Sequence, residues 1–170
     1  AVEYNCGTKK WYIDGKLHRI DGPAVESPNG DKKWYINGQL HRLDGPAIEY
    51  NEYKFYKSNQ WYQYDQLHRV DGPAIESANG DKEWYQYGQL HREDGPAIEY
   101  TNGDKYWYEN GRLHNFDSYA VSIDNNSYNE YYIYGKQYTL FDFLKIKSKF
   151  REFNEFKADG IIRSELEKMI

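Results

Sequence analysis

A polar–aromatic–apolar phrase, Lys-x-Trp-Tyr-x, returns along the chain at Trp11, Trp34, Trp61, Trp84 and Trp107, at intervals of 23, 27, 23 and 23 residues, with small changes at its polar positions. His18, His41, His68, His91 and His114 each follow seven residues behind their tryptophan, and these account for every Trp and His in the chain. Tyr131 opens a sixth, weakened copy. A period of this length marks a repeat array, in which each unit is held by its neighbours.

Within one cassette the pattern predicts two short strands and two tight turns. The first strand, Lys-x-Trp-Tyr-x, runs into Asp14-Gly15, Asn37-Gly38 or Asn110-Gly111, dipeptides that suit a two-residue hairpin with positive φ. The third copy carries Asp65 at the Gly position, and Asp tolerates that conformation better than most residues. The return carries Leu-His-Arg, followed by Asp-Gly-Pro-Ala at Asp21, Asp44, Asp71 and Asp94. Proline fixes φ and has no N–H, so it belongs at a turn exit or strand start. The second strand is Ala-Ile-Glu-Tyr or a close variant, ending at Asn29-Gly30, Asn79-Gly80 or Asn102-Gly103. The expected fold is mainly β, an elongated, single-layer array of antiparallel β-hairpins. It advances about 10 Å per cassette, or roughly 50–60 Å in all.

Two places depart from the phrase. The link from Tyr50 to Gln60 lacks Asn-Gly and reads as a four-residue insertion in a loop, with Tyr53, Phe55 and Tyr56 giving it a distinct surface. The fifth copy replaces Arg, Gly and Pro by Asn115, Ser118 and Tyr119, as terminal repeats commonly do.

Residues 1–138 therefore form the repeats, and residues 139–170 change character. Thr139 followed by Asp142 reads as a helix N-cap. Phe143, Ile146, Phe150 and Phe153 then recur at helical spacing, although Leu144, Ile146, Ser148 and Phe150 also alternate as a strand would. Beyond a break at Asp159-Gly160, residues 161–169 suit a short final helix through Ile161, Ile162, Leu166 and Met169. This tail is expected to cap the open end of the sheet; the alternative is a helical hairpin that merely packs nearby.

Composition narrows the picture. Only 39% of the residues are hydrophobic while 18% are aromatic, 19 of them tyrosine, so a thin layer of stacked rings fits better than a thick aliphatic core. Net charge is −5, with −6 over residues 1–138 and +1 over 139–170. An acidic array argues against sequence-independent nucleic-acid binding and against docking on anionic lipid. A lone cysteine, Cys6, excludes a disulfide framework and a cysteine metal site, and points to a reducing, cytoplasmic or intracellular setting. No apolar run approaches the ~18 residues of a membrane span. Ala1-Val2-Glu3-Tyr4 aligns with Ala24-Val25-Glu26-Ser27 in mid-cassette, so residues upstream of Ala1 are expected to have been removed.

The string Trp-Tyr-x-Asn-Gly-x-x-His, with Asn-Gly again near the end of the unit, resembles the membrane occupation and recognition nexus (MORN) repeat, in particular its divergent second type. The resemblance covers residues 1–138. It departs after the histidine: Arg19, Arg42, Arg69 and Arg92 stand there, followed by Asp-Gly-Pro-Ala, where standard copies place Gly. This His-Arg-x-Asp-Gly-Pro-Ala variant resembles repeats in proteins of large DNA viruses and phages. The resemblance implies an elongated hairpin sheet used for protein interaction or self-association, a viral or phage protein acting on a host factor or in assembly, and no shared enzymatic activity. Lipid binding has been proposed for the family, but the acidic charge opposes it here.

Two rows are candidate partner-binding residues. One is the pairs His18-Arg19, His41-Arg42, His68-Arg69 and His91-Arg92, which serve either to grip an extended partner or to pin the Asp-Gly-Pro turn through an Arg–Asp contact. The other is Tyr12, Tyr35, Tyr62, Tyr85 and Tyr108, on the strand face opposite the tryptophans. These rings either stack along the sheet or stand exposed as an interface. Histidines about 10 Å apart cannot share a zinc ion that holds nitrogen at about 2.0–2.1 Å, so no metal and no cofactor is expected. A catalytic site needs unlike residues in unlike roles, and this chain repeats the same ones. The expected function is a non-enzymatic binding or scaffold module whose partner is another protein or a second copy, the edge near Val2–Tyr4 being a place for strand pairing. The alternative is an aromatic-row binder of glycans or small molecules.

Overall fold

A computed structural model describes residues 1–51, 58–123 and 126–156, with side chains described as far as Arg151. The second helix expected over 161–169, and most of the Tyr50–Gln60 link, lie outside the described residues. The fold is mainly β, an open antiparallel sheet of repeated hairpins closed at neither edge, followed by one helix.

The sheet has thirteen strands, and their order in space is their order in sequence. Most cassettes supply two: a segment before the tryptophan that usually carries Lys, such as Lys9–Lys10 or Lys32–Lys33 (Ser58–Gln60 in the third copy), and the segment after Asp-Gly-Pro-Ala, such as Val25–Glu26 or Ile48–Glu49. Register places opposite charges side by side. Glu26 lies between Lys9 and Lys32, and Glu99 between Lys82 and Lys105, pairings that favour this alignment over a slipped one.

The expected first strand does not run through. It divides at the tryptophan, where the backbone changes partners: Trp34 N–H donates to Ala47 O at 2.9 Å, and Trp34 O accepts from His41 N at 3.1 Å. The residues beyond form a separate two-stranded ribbon, Tyr35–Ile36 against Gln39–Leu40, and five such ribbons occur. Successive ribbons join through backbone bonds, for example Gly38 N to Leu17 O at 2.8 Å and Arg42 N to Tyr62 O at 3.1 Å. Each repeat is thus held twice, once in the sheet and once along the ribbon row. The sixth copy lacks the division, and Tyr128–Ile133 is one continuous strand.

The ribbon turns have the positive φ that their sequences require. Asn37 and Gly38 stand at 52° and 85°, and Asp65 adopts 63° in place of glycine. Tyr64, Tyr87 and Tyr134 also take positive φ, at 50°, 50° and 47°. Each stacks on the histidine of the preceding cassette, with centroids 4.1–4.5 Å apart, a contact that offsets the cost of left-handed backbone.

The fully buried residue of every cassette is an alanine: Ala24, Ala47, Ala74, Ala97 and Ala120 are all 0% exposed. Trp N–H groups donate to the carbonyls of these alanines, which lie where sheet and ribbon meet. Helix α1 (Leu140–Phe156) follows, not the alternative strand over 144–150. Thr139 Oγ1 accepts from Asp142 N at 3.1 Å and donates to Asp142 Oδ2 at 2.7 Å, which caps the first turn. The helix is anchored by Phe143, buried against Tyr131 at 4.9 Å. Among the described residues no helix is long and apolar enough to cross a membrane.

Candidate binding face along the Asp-Gly-Pro turns

The His-Arg-x-Asp-Gly-Pro-Ala segments leave each ribbon and re-enter the sheet, and so line up along the molecule. In each of the first four cassettes the guanidinium lies over its own tryptophan, with Cζ 4.0–4.1 Å from the ring centroid. Its other side faces glycine. A Cβ on Gly22, Gly45, Gly72 or Gly95 would fall 2.8–3.0 Å from that Cζ. These glycines are there for the close approach of a side chain, and none has positive φ.

The donors of each arginine stay within its own cassette. Arg69 Nε donates to Asp71 at 3.0 Å, and Arg69 Nη1 donates to the Pro73 carbonyl at 3.2 Å and to Glu76 at 2.8 Å. Arg19, Arg42 and Arg92 repeat this set. The hydrogen bond from arginine holds the carboxyls of Asp21, Asp44, Asp71 and Asp94 below the usual range. The fifth cassette changes three residues together for one reason. Asn115 Nδ2 replaces the arginine donor to the carbonyl at position 119, at 2.9 Å. Tyr119 packs edge-on against Trp107 at 5.5 Å, and Ser118 no longer has a guanidinium to admit.

The histidines bind cassette to cassette. Nδ1 of His18, His68, His91 and His114 accepts from the backbone N–H of Asn37, Tyr87, Asn110 and Tyr134 at 3.1–3.2 Å. His41 is the exception. Its buried Nδ1 has no hydrogen-bond partner, and beside it Asp65, which stands in the glycine position, accepts from Leu40 N–H at 2.7 Å. Burial lowers the His41 pKa.

The tyrosine row is half-buried from Tyr35 to Tyr108, while Tyr12 is 40% exposed. Tyr62 donates to Gln60 at 3.1 Å and Tyr85 to Glu83 at 2.9 Å. Burial, and then the Glu83 bond, pushes the Tyr85 phenol well above its usual value. The tyrosine and His-Arg rows thus occupy different parts of the fold. Tyrosines hydrogen-bond near the sheet, whereas His and Arg build the turns.

Between successive turns lie three equivalent clefts of about 630, 530 and 620 Å³, floored by Trp34 and His41, Trp61 and His68, and Trp84 and His91. Their rims carry residues that sequence reasoning passed over, those between Arg and Asp. Ile20, Leu43 and Val70 are 85%, 75% and 80% exposed. The clue was present in the chain: an aliphatic residue recurs in three copies inside an otherwise polar turn. Among the described residues no group of three His, Cys, Asp or Glu side chains is placed to hold a metal ion. No family model and no curated protein matches the chain, so the likeness to MORN repeats rests on the residues quoted for it.

Proposed function

We propose that this chain is a non-enzymatic protein-binding array of MORN-like repeats, and that its binding face is the row of Asp-Gly-Pro turns. The observation that carries this reading is the same cleft repeated three times, each rimmed by an exposed aliphatic side chain and an exposed carboxylate. Branched aliphatics held outward on a pinned turn contribute nothing to the core, and exposed apolar rows mark interfaces. The arginines hold the turns in place before any partner arrives, which reduces the ordering cost of binding. Glycan stacking is supported less well, because a guanidinium lies on one face of four of the five indoles.

Cross-linking capture with the intact chain as bait, followed by rebuilding the complex from purified components, tests this reading. Saturable binding of a defined protein is the expected result. Failure to bind any protein, together with a tryptophan fluorescence change on adding oligosaccharides, would refute it.

A further inference from the structure

The fifth cassette shows what the turn face accepts. Its residue at the position of Ile20, Leu43 and Val70 is Phe116, and Phe116 is half-buried. Phe150 of α1 lies edge-on against it, with centroids 4.7 Å apart. Three residues earlier on the helix, Lys147 Nζ donates to the Asp117 carbonyl at 2.6 Å and lies 3.8 Å from its carboxylate. Asp117 is the counterpart of Asp21, Asp44, Asp71 and Asp94. An aromatic residue and a lysine of a helix thus occupy the rim and the carboxylate of one turn, while the same position on cassettes one to three is open to solvent.

We infer that the Ile20–Leu43–Val70 stripe seats an amphipathic, lysine-bearing helix from a partner protein, repeating the contact that α1 makes on the fifth cassette. This rests on the protein-binding reading above and names its site and partner. Two further observations support a helix that runs along the array. The first is spacing. Phe143 packs on Tyr131, the sixth-cassette counterpart of the tryptophans, and Phe150 packs on Phe116 of the fifth-cassette turn, so seven residues of α1 span the counterpart of one cleft. Seven helical residues rise about 10.5 Å, and two strands advance the sheet about 9.6 Å. A helix laid along the array with one aromatic per heptad would therefore meet one turn with each. The second is charge. Asp21, Asp44 and Asp71 are each 85% exposed at the side chain, and each arginine beside them is shared with a second carboxylate. The rim is net negative and matches lysine. Glu93, 88% exposed where cassettes one to three are aliphatic, ends the apolar stripe with another acid.

The test uses the full chain and a fluorescein-labelled synthetic peptide of about three heptads. The peptide carries Phe at every seventh position and Lys three positions before each Phe. Two controls accompany it, one of the same composition with the Phe spacing scrambled and one with Glu for Lys. The expected result is saturable anisotropy change, at least tenfold weaker for the scrambled peptide and absent for the Glu peptide. The triple variant Ile20→Ser, Leu43→Ser, Val70→Ser should bind the first peptide at least tenfold more weakly, with an unchanged circular dichroism spectrum. Equal binding of the scrambled peptide, equal binding by the triple variant, or no binding at all would overturn the inference. A dimer of the chain that the triple variant abolishes would overturn it too, by making a second copy the occupant. A protein captured by the array and retained by the triple variant would refute the stripe alone. Absence of any captured protein refutes the broader reading.

Discussion

Replacing Gly72 by alanine tests the Trp61–Arg69–Gly72 sandwich directly. The new Cβ would stand 2.9 Å from Arg69 Cζ, so the guanidinium has to leave the face of Trp61 or the turn has to move. What is lost follows from the contacts of Arg69, whose side chain is 21% exposed. The cation–π contact contributes roughly 0.5–2 kcal/mol. The bond from Arg69 to the Pro73 carbonyl has a charged donor and contributes about 1.5–3 kcal/mol. The contacts with Asp71 and Glu76 are left out because water reaches both carboxylates, the first fully exposed and the second 41% exposed. Arg69→Ala should therefore cost about 2–5 kcal/mol. Gly72→Ala should cost about 1–3 kcal/mol, since the arginine keeps part of its contacts after it shifts.

The decisive measurement is Gly72→Ala in the Arg69→Ala background. With the guanidinium gone nothing opposes the methyl, and Gly72 lies outside the positive-φ region. There alanine should be neutral or stabilising by about 0.4–1 kcal/mol, through the smaller entropy of the unfolded chain. Equilibrium urea unfolding of all four proteins, followed by tryptophan fluorescence, gives the cycle, with unchanged m-values as the control. If Gly72→Ala costs the same with and without Arg69, the glycine serves some other purpose and the sandwich does not explain it.

Other outcomes follow from the same geometry. Ala74 is 0% exposed, so Ala74→Leu should destabilise by about 1–3 kcal/mol or more through overpacking. Val70→Ser, at a position 80% exposed, should stay within about 0.5 kcal/mol of wild type, which thermal denaturation of the pair would check. His41 binds a proton less readily folded than unfolded, because burial lowers its pKa from 6.5. Its contribution is therefore constant well above that value, and stability should fall as pH drops through and below it. Substituting Gln for His41 should flatten that slope in urea titrations at several pH values; an unchanged slope would refute the assignment. Thr139→Ala removes the cap of α1 and should cost about 1 kcal/mol, read as an earlier loss of helical circular dichroism than of tryptophan signal.

Features that depend on neighbouring residues were legible in the chain. Asn37-Gly38 encodes its turn because few residues accept two consecutive positive φ values, and the observed angles agree. The period of the tryptophans implied stacked hairpins because each copy is too small to bury a core alone. The cap at Thr139 likewise needs only Asp142, three residues on.

What only the tertiary structure decided depends on contacts between residues far apart in sequence. Alternation treats Lys-x-Trp-Tyr-x as one strand, but the division at Trp34 appears only when Ala47 and His41 both claim its backbone. Asp-Gly-Pro reads as a turn with a flexible glycine, yet the glycine is there because a guanidinium from three residues earlier lies against it. The exposed aliphatic row was hidden for the same reason. Ile20, Leu43 and Val70 are single apolar residues in polar turns, and sequence assigns no direction to an isolated side chain. The fold aligns them on one face, and at the equivalent position of the fifth cassette Phe150 packs on Phe116.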